Sequence, residues 1–168
     1  MSDLDKAKQI FYKYLGSHES IDRELGDYYK KLNVPTEVEA EWRQDILNNL
    51  KKKVDTENGY SKMNAIENYI HLISADAAVG FLCDILQKSV LDTLSVILIL
   101  ESLKRYKLHY KTYGLTFENS VFIKQIIDRY KAALMKSDIY IDDSYKKLSF
   151  MKNYDFSNEN ILKRIEAL

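Results

Sequence analysis

One proline and five glycines in 168 residues leave the chain almost no vocabulary for tight turns. An all-β fold needs such punctuation every roughly eight to twelve residues, whereas long helices do not. Cys83 is the single cysteine, so no intrachain disulfide forms, and a reducing compartment is expected. Long hydrophobic runs are missing too. The most apolar stretch, Leu94 to Leu100, is far shorter than the ~20 residues that span a bilayer, so no membrane partner is expected. The opening MSDLDKAKQIFYKYLG scatters charges through its apolar positions, unlike a secretory leader, and a cytoplasmic location follows as the expectation. Net charge is absent as well: 25 basic residues cancel 25 acidic ones, which removes the global field of a nucleic-acid coat protein.

Motifs of chemistry are equally scarce. GxxxxGK[ST], GxGxxG and GxSxG do not occur, and scattered glycines cannot cradle a phosphate. His18, His71 and His109 are far apart and none lies in an HExxH spacing. His18 has Glu19, Asp22 and Glu24 nearby in sequence, a donor set for a metal only if the segment gathers them; solvated surface is the expectation. Cys83 sits in the apolar run FLCDIL beside Asp84, which opposes thiolate formation, so it reads as core. Glu37 and Glu41 share a helix face, but no second acidic helix supplies a Glu-x-x-His partner for a di-iron site. No cofactor and no metal are expected. A third function class, an enzyme with a pocket lined by tyrosines and His71 or His109, carries no sequence signature.

What the chain has is helix. Apolar residues are 46% and charged ones 30% of the total, ordinary globular composition, and one domain over 1–168 is expected. Ser2 with Asp5 forms a capping-box pattern before a stripe of Leu4, Ala7, Phe11, Tyr14 and Leu15, and Gly16 closes that helix. Residues 17–35 have weak periodicity and read as an irregular connection with a short helix from Leu25 to Leu32. Thr36 with Glu39 is the clearest capping box and opens a helix to about Lys53 that buries Val38, Trp42, Ile46, Leu47, Leu50 and Val54. Further helices are predicted from Ser61 to Ile73, after Asp76, from Ser89/Asp92 to Gly114, from Phe117 to Met135, over Asp142–Lys152 and after Ser157. Val96 to Leu100 is apolar on all sides and belongs at the centre. The predicted fold is all-α, an irregular bundle of seven or eight helices, with a short HEAT-like stack as the alternative.

Two surfaces stand out in the charge pattern. Residues 1–84 hold 11 basic against 15 acidic residues, and residues 85–168 hold 14 against 10, so the halves carry −4 and +4. The acidic candidates are Glu19, Asp22, Glu24, Asp27, Glu37, Glu41 and Asp45, with Tyr28, Tyr29 and Trp42 among them. Aromatic anchors ringed by acids suit a basic protein partner and speed its capture, although Trp42 also fits the core stripe. The basic candidates are Lys104, Arg105, Tyr106, Lys107, Tyr110 and Lys111. Cations interleaved with aromatics can bind single-stranded nucleic acid, but cations also favour helix C-termini.

The stretch FYKYLGSHESIDRELGDYYKKLNVPTEVEAEW, residues 11–42, resembles the opening of small helical proteins of Gram-positive bacteria, among them immunity proteins of polymorphic-toxin systems. The resemblance implies a catalytically inert cytoplasmic protein that binds a cognate toxin domain through an acidic or aromatic face. A non-catalytic protein-binding module is therefore the first expectation, and a nucleic-acid-binding or regulatory helical domain the alternative.

Overall fold

The computed structural model describes residues 2–168. Among them are nine α-helices and no strand, an all-α multi-helix bundle. Among the described residues, no helix is long and apolar enough to cross a membrane. Two compact units follow each other along the chain, one ending at Lys52 and one covering Lys53–Leu168.

In the first unit, α1 (Asp3–Lys13) starts as its sequence dictates. Ser2 Oγ accepts from the Asp5 amide at 3.1 Å, and the Asp5 carboxylate accepts from the Ser2 amide at 3.0 Å. Ala7 and Phe11 of this helix are completely buried. The chain leaves it through Gly16, at φ +71°, and a Cβ there would meet the Phe11 ring at 2.9 Å. Only glycine fits this turn.

Residues 17–35 differ from expectation. A helix does form, but earlier than predicted: α2 (His18–Leu25) is capped by Ser17, whose side chain accepts from the Ser20 amide. Only Ile21 of α2 is buried, so the helix has no apolar periodicity for a sequence reading to catch. The stretch predicted as helix, Leu25 to Leu32, is two 3₁₀ turns, Gly26–Tyr28 and Lys30–Leu32. The long helix α3 (Thr36–Thr56) follows Pro35, whose carbonyl accepts from the Val38 and Glu39 amides. The Thr36–Glu39 capping box does not close, because the Glu39 carboxylate turns to Tyr29 and His18 instead.

The second unit is built around α6 (Thr93–Leu108). Its Leu94, Ile97, Ile99, Leu100 and Leu103 are 0% exposed, and each such side chain contributes about 1.5–3 kcal/mol when buried. It packs on α4 (Gly59–Ile70), α5 (Ala75–Lys88), α7 (Phe117–Leu134) and α9 (Asn158–Glu166), the central place its apolar run predicts. Asp92, rather than Ser89, caps α6, and Ser74, rather than Asp76, caps α5. Helix α6 ends before Gly114. The chain bends back at His109, the Leu115 amide donates to the Tyr110 carbonyl, and Leu115 is buried. The predicted Asp142–Lys152 helix is split into α8 (Asp143–Lys146) and a 3₁₀ turn, Ser149–Met151. Ser157 caps α9 as predicted.

Helix α8 docks on the first turn of α4. Asp142 Oδ1 accepts from the Ser144 amide at 2.8 Å, and Ser144 Oγ accepts from the Tyr60 amide at 2.9 Å. Gly59, at φ +51°, makes this approach possible, since its Cβ would lie 2.3 Å from Ser144 Oγ and 2.4 Å from Asp142 Oδ1. Helix α9 is tied to α6 by Arg164. Its guanidinium donates to both Glu101 oxygens at 2.6 and 2.7 Å and to the Tyr154 hydroxyl at 2.9 Å.

Candidate functional site

The acidic residues of the first unit fall into two groups. Some are already engaged. Asp22 pairs with Lys30 at 3.0 Å, and Asp27 with the same lysine at 3.4 Å. Glu24 accepts from the Tyr14 hydroxyl at 2.7 Å, and Asp45 from the Tyr12 hydroxyl at 3.1 Å. Glu39 lies between His18, at 3.0 Å, and the Tyr29 hydroxyl, at 2.8 Å. Glu19, Glu37 and Glu41 are different: all three are exposed, and among the described residues none has an ion-pair or hydrogen-bond partner for its carboxylate. Glu37, Glu41 and Asp45 are four residues apart on α3 and form one stripe. Residues 17–50 carry eight acids (Glu19, Asp22, Glu24, Asp27, Glu37, Glu39, Glu41, Asp45) against four bases (Arg23, Lys30, Lys31, Arg43), a net of −4. Arg43 does not neutralise that surface, because its guanidinium turns inward to the Gly16 carbonyl at 2.9 Å.

Beneath these acids is an aromatic cluster that fixes α2 against α3. Phe11 packs with His18, Tyr29 and Trp42 at centroid distances of 6.0, 6.4 and 5.7 Å. Tyr29, expected at the partner surface, is 3% exposed, and Trp42 is core as well. Burial, with Glu39 beside its hydroxyl, pushes the Tyr29 pKa above the ordinary tyrosine range. Tyr28 stays at the surface, about half exposed. His18 is committed to Glu39 and the rings rather than to Glu19, Asp22 and Glu24. No group of three His, Cys, Asp or Glu side chains capable of holding a metal exists among the described residues.

The basic candidates of the second unit are largely occupied. Lys104 donates to the Ala167 carbonyl at 2.6 Å, a cation at the end of α9, and Arg105 donates to Ser102 Oγ. The rings also pair with one another. Tyr106 lies 4.8 Å from Tyr113, and Tyr110 packs edge-on to Phe117, with the Lys111 ammonium 5.9 Å above it. Lys107 is half-buried, leaving Arg105 and Lys111 as the exposed cations of the set. Cys83 is buried, and burial followed by the neighbouring Asp84 raises its thiol pKa, so it is not poised as a nucleophile.

A cleft that the sequence does not announce opens beside α4 in the second unit. Its volume is about 390 Å³, and its walls include Tyr60, Tyr145, Phe150 and Tyr154, with Asn64 and Glu67 of α4 contributing polar groups. Tyr60 meets Tyr145 at 6.1 Å and 75°, and Phe150 at 5.8 Å and 62°. Neither His71 nor His109 lines it. The local sequence trace is Tyr60, Asn64 and Glu67 at i, i+4 and i+7 on α4, since Tyr145, Phe150 and Tyr154 come from segments about 85–95 residues further along the chain. No family model, curated protein or solved structure matches the chain.

Proposed function

We propose that the chain is a non-catalytic protein-binding module whose acidic face, on α2 and the first half of α3, receives a basic partner. The observation that carries this reading is the exposed, unpartnered state of Glu19, Glu37 and Glu41 on a frame held by the His18–Glu39–Tyr29 contacts. Acids already paired within a protein gain little from a partner. Unpaired acids on fixed helices offer charge complementarity without first breaking an internal bond. Exposed Tyr28 adds an amphipathic ring of the kind that interfaces concentrate. With the resemblance of residues 11–42 to immunity proteins, the concrete form of the proposal is neutralisation of a toxin domain. The nucleic-acid reading has less support, because Tyr106 and Tyr110 already contact aromatic neighbours and Lys104 is committed to a carbonyl.

The test uses the immobilised full chain, a lysate of the source organism, and the variant carrying Glu19→Lys, Glu37→Lys and Glu41→Lys. We expect one stoichiometric protein retained by the native chain, and an affinity for it on the order of 10- to 100-fold weaker in the variant at unchanged melting temperature. Equal retention by both forms refutes the placement. Recovery of nucleic acid alone, released by salt, refutes the reading.

A further inference from the structure

The cleft of the second unit has features that a packing defect would not combine. Its walls are mostly apolar, and Leu98, Leu148 and Met151 are the partly exposed aliphatic side chains among them. Its aromatic planes do not lie parallel: Tyr60 is inclined at 75° to Tyr145 and at 62° to Phe150. Aromatic rings carry negative faces and positive edges. Rings inclined in this way present faces in more than one direction, an arrangement that suits a cation. Phe150 completes the set although it is 68% exposed, an unfavourable position for a ring with nothing to cover it.

The charges lining the cleft decide the sign of its ligand. Arg164 also lines it, but both Glu101 oxygens and the Tyr154 hydroxyl already hold the guanidinium, so it is matched. Tyr145 donates its hydroxyl inward to Ser95. The Glu67 carboxylate and the Tyr60 hydroxyl are left, and neither has a hydrogen-bond partner among the described residues. Among the described residues, the one unmatched charge facing this space is negative. An anion would meet Glu67 with no free cation to offset it. A neutral apolar molecule would leave Glu67 unanswered.

We propose that this cleft binds a small organic cation, a substituted ammonium on an apolar body, with the ammonium against Tyr60 and Phe150 and next to Glu67. Cation–π attraction supplies the preference for charge, Glu67 strengthens it, and the aliphatic wall accepts the apolar portion. A volume of about 390 Å³ suits a small molecule. This inference does not depend on the acidic-face proposal, since every residue it uses belongs to the second unit.

The experiment separates charge from shape. Choline and its neutral isostere 3,3-dimethylbutan-1-ol are titrated into the full-length protein, with benzyltrimethylammonium as the larger cation. Binding is followed by calorimetry and by the amide resonances of Tyr60 and Glu67. We expect both ammonium compounds to bind, choline tighter than the alcohol by on the order of tenfold. Glu67→Gln, an exposed change, is expected to shrink that ratio several-fold without moving the melting temperature. Tyr60→Leu is expected to abolish it; should that variant fail to fold, Glu67→Gln decides alone. Equal or tighter binding of the alcohol overturns the proposal. So does the absence of binding by either cation at 10 mM, or an unchanged ratio in Glu67→Gln.

Discussion

Replacing Ser95 with alanine should cost more than its size suggests, because one hydroxyl serves two partners. Ser95 is 0% exposed and Tyr145 is 2% exposed. Ser95 Oγ donates a short hydrogen bond to Asp92 Oδ2, and lies 2.9 Å from the Tyr145 hydroxyl. A deprotonated carboxylate has no proton to give, and serine has one. The Ser95 proton therefore goes to Asp92, and Tyr145 must donate to Ser95. Ser95→Ala removes a hydrogen bond to a charged group, about 1.5–3 kcal/mol, and also strands the buried Tyr145 hydroxyl, a further ~1–3 kcal/mol. We expect a total of about 3–4 kcal/mol. Tyr145→Phe removes only the weaker bond, leaves Ser95 bonded to Asp92, and should cost about 1 kcal/mol. In the Ser95→Ala background the same change removes a stranded group and should cost nothing or stabilise, giving a coupling of about 1–2 kcal/mol. Urea unfolding of the four proteins, fitted for midpoint and slope, measures the cycle. If Tyr145→Phe costs the same in both backgrounds, or more than Ser95→Ala, the donor assignment is wrong.

Two other outcomes follow from backbone geometry and titration. Gly59→Ala should destabilise the protein by about 3 kcal/mol or more, combining the positive-φ penalty with the clash against Ser144 and Asp142. Gly114→Ala, at φ +69° with nothing within 4 Å of its Cβ, should cost only about 1–2 kcal/mol; equal losses in thermal melts would refute the close approach at Gly59. Stability should also fall steeply on the alkaline side. Burial raises the pKa of both Tyr29 and Tyr145, so above the ordinary tyrosine value the unfolded chain loses protons that the folded chain keeps. Their contribution is complete below pH 10 and declines as pH rises toward the folded values, by about 1.4 kcal/mol for each tyrosine at pH 11. Urea melts between pH 9 and 11 should show a loss smaller by about 1.4 kcal/mol in Tyr145→Phe than in the native chain, and an equal loss would contradict the burial argument.

Helices with a local start signal and a wide apolar stripe were legible in the sequence. Ser2 with Asp5 and Ser157 with Asn160 need only neighbouring atoms to act, and both cap their helices as read. Thr36 with Glu39 has the same spacing but fails, because Glu39 finds Tyr29 and His18 across the fold, a competition invisible to local pattern. Helix α2 was missed for the opposite reason: one buried side chain gives no period to detect. The candidate site was legible as a composition and not as a set of free groups. Glu19 and Glu24 look alike in sequence, yet the Glu24 carboxylate meets Tyr14, and that of Glu19 has no ion-pair or hydrogen-bond partner among the described residues. The cleft was not legible at all, since packing of α8 on α4 brings Tyr60 and Tyr145 together.

The tyrosine content carries a similar lesson, and it narrows where function should be sought. Thirteen tyrosines suggest an interface, because the residue is large, stiff and amphipathic. Six of them spend their hydroxyls inside the fold. Tyr12, Tyr14 and Tyr29 reach carboxylates; Tyr130 donates to the Leu86 carbonyl, Tyr145 to Ser95, and Tyr154 accepts from Arg164. A chain with no disulfide gains from such side chains, which bury a ring and still satisfy a distant polar group. Tyr106, Tyr110 and Tyr113 use their rings on aromatic neighbours. The rings at the basic end therefore pair with one another, although Tyr113 and Phe117 stay exposed there, and two further rings lie beside acids. Tyr28 is exposed in the acidic stretch, and Tyr60 shares a cleft with an unpaired Glu67. In both places a ring occurs with negative charge, so both favour ligands of positive charge, and the two experiments proposed above test that preference independently.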